Sequence, residues 1–271
     1  MKKKYKFVVI VLVYRNYKDL IDCIDSIYEE VDDCKIVIVN AYYDEESKQK
    51  IQEIANTKNC DFLNEVNKGY SYGNNRGIEY VKNNYEFEYI IISNPDIVVK
   101  KRIANLPDAE IIAPKIIAAS GKNQNPMMSR EVKLADYLIY RGIKNNISLL
   151  FYSGIALKKI VNKFYMLFNK NSKYINIFAA HGSFVIIRKN VIECIQPLYD
   201  ENMFLFAEEG VLAQKCREEG FCTIYDDGIE INHKEDGCMK LADFSINNEL
   251  KRANIYYYEN YVIDKTKKCR H

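Results

Sequence analysis

Three stretches, "FVVIVLVY" (7–14), "KIVIVN" (35–40) and "YIIIS" (89–93), carry their apolar residues on consecutive positions. A strand with one face in water alternates apolar and polar side chains, whereas a strand covered on both faces does not. Each stretch is also too short to span a bilayer as a helix. Between the first two, "DLIDCIDSIYEEV" sets Leu20, Cys23, Ile24, Ile27, Tyr28 and Val31 at helical spacing. "DEESKQKIQEIAN" opens with acidic residues, where the helix dipole favours negative charge. "DFLNEV" reads as a short strand and "NNRGIEYVKNN" as a short helix. Strands alternating with helices over roughly the first hundred residues predict right-handed βαβ units and a parallel sheet.

Farther on, "AEIIAPKII" predicts a strand, and the pattern then changes character over about 130–178. That segment is aromatic, apolar and lysine-bearing, with Leu157, Ile160, Val161, Phe164 and Phe168 clustered helically and Lys158, Lys159 and Lys163 between them. Two readings stand: an insertion packing its apolar face on the domain, or a basic amphipathic helix in a membrane interface. "GSFVIIRK" returns to strand, "EEGVLAQKCREEG" to helix, and "FCTIYD" and "GIEINH" to two further strands. The chain thus divides into 1–115, a helical amphipathic insertion at 116–180, and 181–271, without repeats or low-complexity tracts.

A formal charge of +2 gives no case for a nucleic-acid partner. Lysines gather in "MKKKYK" and "DKTKKCRH" at the ends, as solvated termini or as contacts to an acidic membrane surface. The eight cysteines form no CxxC pair, and no histidine is spaced with them as in a zinc site. Reduced, cytosolic thiols are expected. The opening mimics a signal peptide but runs into Arg15, Asn16 and Lys18 without a small-residue cleavage site, so a buried first strand is expected.

Four places carry residues suited to chemistry. The "YIIIS" strand ends on Asn94-Pro95-Asp96, either a plain turn or an acid presented at the carboxyl edge of a parallel sheet, where α/β proteins bind ligands. "NKGYSYGNNRGI" (67–78) is a loop rich in glycine and asparagine that opens a helix and would admit close backbone approach to a phosphate or ribose. Glu208 and Glu209 begin a predicted helix, whose dipole would keep both ionised, as a base acting on a hydroxyl must be. His233 follows the apolar "GIEIN" as a hydrogen-bonded loop residue or a ligand.

In this order the pieces resemble the nucleotide-sugar-dependent glycosyltransferases of family 2, especially the rhamnosyltransferase-like branch. The resemblance covers about residues 5–115 and 180–235. The family opening "VTYN" is met by "LVYRN", and "VVVDNASTDGS" by "VIVNAYYDEES" without gaps. Its glycine motif is met by "NKGYSYGNNRG", and "LNPD", its form of the DxD motif, by "SNPD". "GSFVIIR", "YDENMFLFAEEGV" and His233 match later motifs more loosely.

The resemblance implies an α/β GT-A fold: a Rossmann-like, mostly parallel sheet flanked by helices, with a helical acceptor-side region and one such domain overall. It implies that Asp96, with His233, holds Mg²⁺ or Mn²⁺ against a sugar-nucleotide diphosphate, with Asn94 lining the site. Asn40 would face the base of a UDP- or dTDP-sugar, and Gly69, Gly73 and Asn75 would help enclose the donor. Glu209, or in second place Glu208, would be the general base in an inverting transfer to a glycan. That glycan would be polyprenyl-diphosphate-linked, for surface polysaccharide, with the enzyme cytoplasmic or peripheral at the inner membrane face. The chain departs from the pattern at Asn40 and Glu209, both Asp in the family, at Val211 in place of an acid, and at Lys215 in place of Arg. Those departures keep a second class open, a silent GT-A module that binds a nucleotide or a protein. A dehydrogenase is set aside, because "VYRNYKD" after the first strand lacks glycine.

Overall fold

The computed structural model of the chain describes residues 2–235 and 245–263. Its first half alternates as the apolar runs dictate: β1 (Lys3–Val13), α1 (Leu20–Glu30), β2 (Cys34–Tyr42), α2 (Glu45–Thr57), β3 (Asp61–Val66), α3 (Tyr70–Asn84) and β4 (Tyr85–Ser93). Then follow β5 (Ile97–Val99), β6 (Ile111–Ala118), α4 (Lys133–Lys144), α5 (Ser148–Phe168), β7 (Tyr174–Ile177) and β8 (Phe184–Arg188). The last elements are α6 (Lys189–Cys194), α7 (Glu208–Glu218), β9 (Thr223–His233) and α8 (Ile246–Tyr257).

All nine strands join one sheet in the order β3-β2-β1-β4-β8-β6-β9-β5, with β7 pairing β9. The ladders β3–β2–β1–β4 are parallel, and β8 runs antiparallel between β4 and β6. Mixed α/β architecture with a mostly parallel sheet is therefore what the chain adopts. Successive residues of β1 explain the unbroken apolar runs. Val9, Val11 and Val13 pack with Leu20, Ile24 and Ile27 of α1 and Ile51 of α2. Val8 and Ile10 pack on the other face, with Ile78 and Val81 of α3 and Leu212 of α7. Helices on both faces leave the strand ends as the only polar part of the inner sheet.

Three elements differ from expectation. The two strands expected at "FCTIYD" and "GIEINH" are one strand, β9, whose pairing with β6 shifts register between Pro114 and Lys115. Asp226 Oδ1 accepts from Gly228 N at 2.9 Å, which absorbs the extra residues in a local bend. α3 starts at Tyr70 rather than after the glycines, because Gly73 lies against the side chain of Leu12 on β1. Tertiary packing thus overrides the poor helix propensity of glycine and asparagine. The 116–180 segment is not wholly helical, since it also supplies β7. The last expected lysine cluster, 264–271, lies outside the described residues, as do Cys238 and Cys269; the six described cysteines are free.

Ile91, wholly buried in central β4, tests the two-faced core. Ile91→Ala is expected to lower unfolding free energy by about 2–5 kcal/mol in denaturant titration.

Candidate active site

Parallel pairing sends the carboxyl ends of β1, β2 and β4 to one edge of the sheet. There the chain leaves Ser93, and Asn94 N donates to Ser183 O at 2.9 Å, tying the turn to the start of β8. Asp96 next gains its neighbour through strand pairing: Ile97 opposes His233 in the β5–β9 ladder. Lys234 N donates to Asp96 O at 2.9 Å and closes the corner. The Asn-Pro-Asp stretch is thus a turn and an edge position at once, and the two sequence readings do not exclude each other.

Asp96 is 2% exposed, and its Oδ1 lies 3.3 Å from His233 Nε2. His233 Nδ1 is 2.8 Å from Gln124 Oε1, while Gln124 Nε2 donates to Glu235. Gln124 therefore accepts the Nδ1 proton, and Nε2 faces a carboxylate oxygen that has no hydrogen-bond partner among the described residues. A deprotonated Nε2 and this oxygen would be two buried acceptors face to face. A cation between them, a proton or a metal ion, removes the conflict. One carboxylate oxygen and one imidazole nitrogen suit a divalent ion whose remaining ligands come from a diphosphate. Among the described residues no cluster of three or more His, Cys, Asp or Glu side chains is gathered around a single point.

His181 belongs to this corner and went unnoticed in the sequence. Its ring lies 5.8 Å from that of His233, and Asn125 Oδ1 accepts from its backbone N at 2.7 Å. Burial holds its imidazole below the usual range, against the upward pull of Glu209, so it is neutral at pH 7. The one available signal was its position just before "GSF", at the head of a strand.

Glu208 and Glu209 reach the edge by a strained turn. Phe206 (φ 74°) and Ala207 (φ 64°) are both left-handed immediately before α7. Glu209 Oε1 accepts from Gly182 N at 3.3 Å, next to His181. Glu208 instead turns inward beside a cavity of about 20 Å³ lined by Tyr70, Tyr199 and Gly182, and its Oε1 has no partner among the described residues. Burial, reinforced by the Glu209 charge, pushes the Glu208 carboxyl up to about 8. This corrects the expectation that the helix dipole keeps both acids ionised: desolvation outweighs the dipole for the inner one.

The glycine segment reaches the same region through its backbone. Tyr70 N donates to Phe204 O at 2.8 Å, and a Cβ on Gly69 (φ 98°) would come within 2.1 Å of that oxygen. Two residues expected to help enclose a donor also make protein contacts. Gly73 makes room for Leu12, and Asn75 donates to Tyr199 O and Glu201 while accepting from Tyr199 N. Asn40 is fully buried near the end of β2, donates to Asn64 Oδ1 at 2.7 Å and leaves its own Oδ1 without a partner among the described residues.

Several solved structures share this architecture. GalNAc-T7, solved with UDP, GalNAc and Mn²⁺, aligns with a TM-score of 0.63 at 12% identity over 94% of this chain. The chain spans only 48% of that protein's length. The mannosyltransferase PcManGT from Pyrobaculum calidifontis, in complex with GDP-Man and Mn²⁺, aligns with a TM-score of 0.55 at 13% identity, over 95% of this chain and 71% of its own. S. aureus TarS 1–349 in complex with UDP-GlcNAc gives 0.54 at 15%, over 97% and 69%. At such identities the likeness is one of fold. No curated protein matches the chain significantly. The model of the family described as "Glycosyl transferase family 2" matches residues 8–196, which include the β1–β4 units, the Asn-Pro-Asp turn, His181 and the entry to β8. With the sheet, the edge and that span in agreement, the chain belongs to glycosyl transferase family 2.

Proposed function

We propose that the protein is a metal-dependent, inverting glycosyltransferase that moves a hexosyl or deoxyhexosyl group from a UDP- or dTDP-sugar to a hydroxyl of a glycan. The observation that carries this reading is the buried Asp96 Oδ1, without a hydrogen-bond partner among the described residues and 3.3 Å from His233 Nε2, at the sheet edge that also receives Glu209. Asp96 and His233 would hold Mg²⁺ or Mn²⁺, and Gln124 would keep the His233 ring turned toward it. Such an ion neutralises charge on a departing nucleoside diphosphate. Solved proteins of the same fold contain Mn²⁺ with UDP or GDP-Man, which is in keeping with the assignment.

Glu209 would take the proton from the acceptor hydroxyl, oriented by the Gly182 N–H. The acceptor oxygen then bonds to the anomeric carbon from the side opposite the diphosphate, whose bond to that carbon breaks, so the configuration inverts. Glu208 cannot share that task near neutrality, because a carboxyl titrating at about 8 is still protonated. Its proton instead spares Glu209 a second negative charge at close range. Asn94 and Asn40 are the side chains offered to the donor, Asn40 through an oxygen that has no other partner among the described residues. The acceptor we assign is a polyprenyl-diphosphate-linked glycan of surface polysaccharide, met at the cytoplasmic face of the membrane. Among the described residues no helix is long and apolar enough to cross it.

One observation favours a second reading, a module that binds a nucleotide or a protein partner without turnover. Val211, where the family pattern has an acid, is 1% exposed and packs against Met203, Ala253 and Tyr257. Calorimetry showing sugar-nucleotide binding, with no turnover on any acceptor, would favour the module.

Incubation with UDP- and dTDP-sugars and Mn²⁺ is expected to release nucleoside diphosphate. Asp96→Ala should abolish that release, and activity that survives a chelator would overturn the metal assignment. Glu209→Gln should lower kcat by roughly a hundredfold or more. Glu208 gives a separate pH signature. Its folded value lies above the ordinary 4.5, so the folded chain holds a proton that the unfolded chain loses as pH rises toward 8, and stability falls over that window. In thermal melts Glu208→Gln should match the wild type near pH 5 and exceed it by a few degrees at about pH 8.5.

A further inference from the structure

Helix α5 exposes an apolar face. Of its 21 residues only Gly154 is buried, where it meets Ala135 O and Ile139 of α4. The face toward the protein combines the packing of Tyr165 and Met166 near Ile175 and Ile177 with polar contacts. Lys158 pairs with Asp136 at 2.5 Å, Asn162 Oδ1 accepts from Ser129, and Tyr165 OH donates to Asn176 O. The outer face is apolar as well. Leu149, Tyr152, Ile160, Phe164, Leu167 and Phe168 share it, with Ala156 between Tyr152 and Ile160, and all are exposed, Leu149 at 76% and Phe168 at 83%. A water-facing helix carries the opposite pattern.

Charge identifies what this face is suited to meet. Helix α5 carries Lys158, Lys159 and Lys163 and no aspartate or glutamate. Lys159 and Lys163 stand beside Ile160 and Phe164 on the exposed stripe. Among the described residues neither makes an ion pair. A second copy docked through the same face would set its own Lys159 and Lys163 against these two, and like charges would repel. An anionic lipid leaflet satisfies both features: it accepts apolar side chains to the depth of a half-immersed helix and offers phosphates to lysines at its rim. A helix of 21 residues is about 31 Å long, enough to lie along the leaflet for six turns. Its lysines keep it from inserting across the bilayer.

We infer that the outer face of α5 docks the protein on an anionic phospholipid surface, with Phe164 and Phe168 in the acyl boundary and Lys159 and Lys163 on the headgroups. This inference stands whether or not the chain transfers sugar, because it rests on a face that shares no residue with the Asp96–Glu209 edge.

Co-sedimentation of the full chain with vesicles tests it. Vesicles of phosphatidylcholine mixed with phosphatidylglycerol should bind the protein at least about tenfold more tightly than phosphatidylcholine alone, and high salt should erase the difference. Lys159→Glu with Lys163→Glu should reduce binding to the mixed vesicles to the phosphatidylcholine level. Phe164→Ser with Phe168→Ser should weaken binding to both, while circular dichroism and thermal melts confirm that each variant folds. Equal binding to both vesicle types, or unchanged binding by the variants, would overturn the proposal. So would light scattering that shows a dimer which the phenylalanine variants dissociate.

Discussion

Burial of the sheet on both faces is the constraint from which the rest of this structure follows. Helices α1 and α2 cover one side and α3 and α7 the other, so a polar side chain pointing from the middle of β1, β2 or β4 would lose its water without replacement. Polar groups are confined to strand ends. Because β9 runs the same way as β1, β2 and β4, their carboxyl ends fall on one edge, and antiparallel β8 starts there, so the turns at that edge are close together however far apart they lie in sequence. Asp96, His181, Glu209 and His233 are neighbours for this reason.

At the edge, desolvation decides what each polar group can do. Glu208 and Glu209 are adjacent and start the same helix, yet one is buried and protonated near neutrality while the other meets a backbone N–H. Two successive left-handed residues produce that divergence by turning the chain sharply into α7. The same economy operates at Asp96. A buried carboxylate oxygen without a partner among the described residues faces His233 Nε2, and a cation shared between the two would satisfy both.

The glycine segment shows how one pattern can hold two meanings. Gly69 carries a positive φ and presses on Phe204, as a loop glycine does, whereas Gly73 sits within a helix and makes room for Leu12. Asn75, a candidate ligand contact in the sequence, also clamps Tyr199 in the fold. Nothing in the string separates these cases, since glycine and asparagine serve close approach to a ligand and close approach to protein equally well.

Order and spacing were enough to give the alternating elements, the covered sheet, the edge position of Asp96 and the start of α7 at the glutamates. Each depends on neighbours within a few residues, and local periodicity records such neighbours directly. His181, the Gln124 support behind His233, the inward turn of Glu208 and the exposed apolar face of α5 were decided only by the tertiary structure. Each depends on which distant segment supplies the desolvation or the hydrogen bond. The strand pairing that sets Ile97 opposite His233 joins residues 136 positions apart, and no local pattern encodes a distance of that kind.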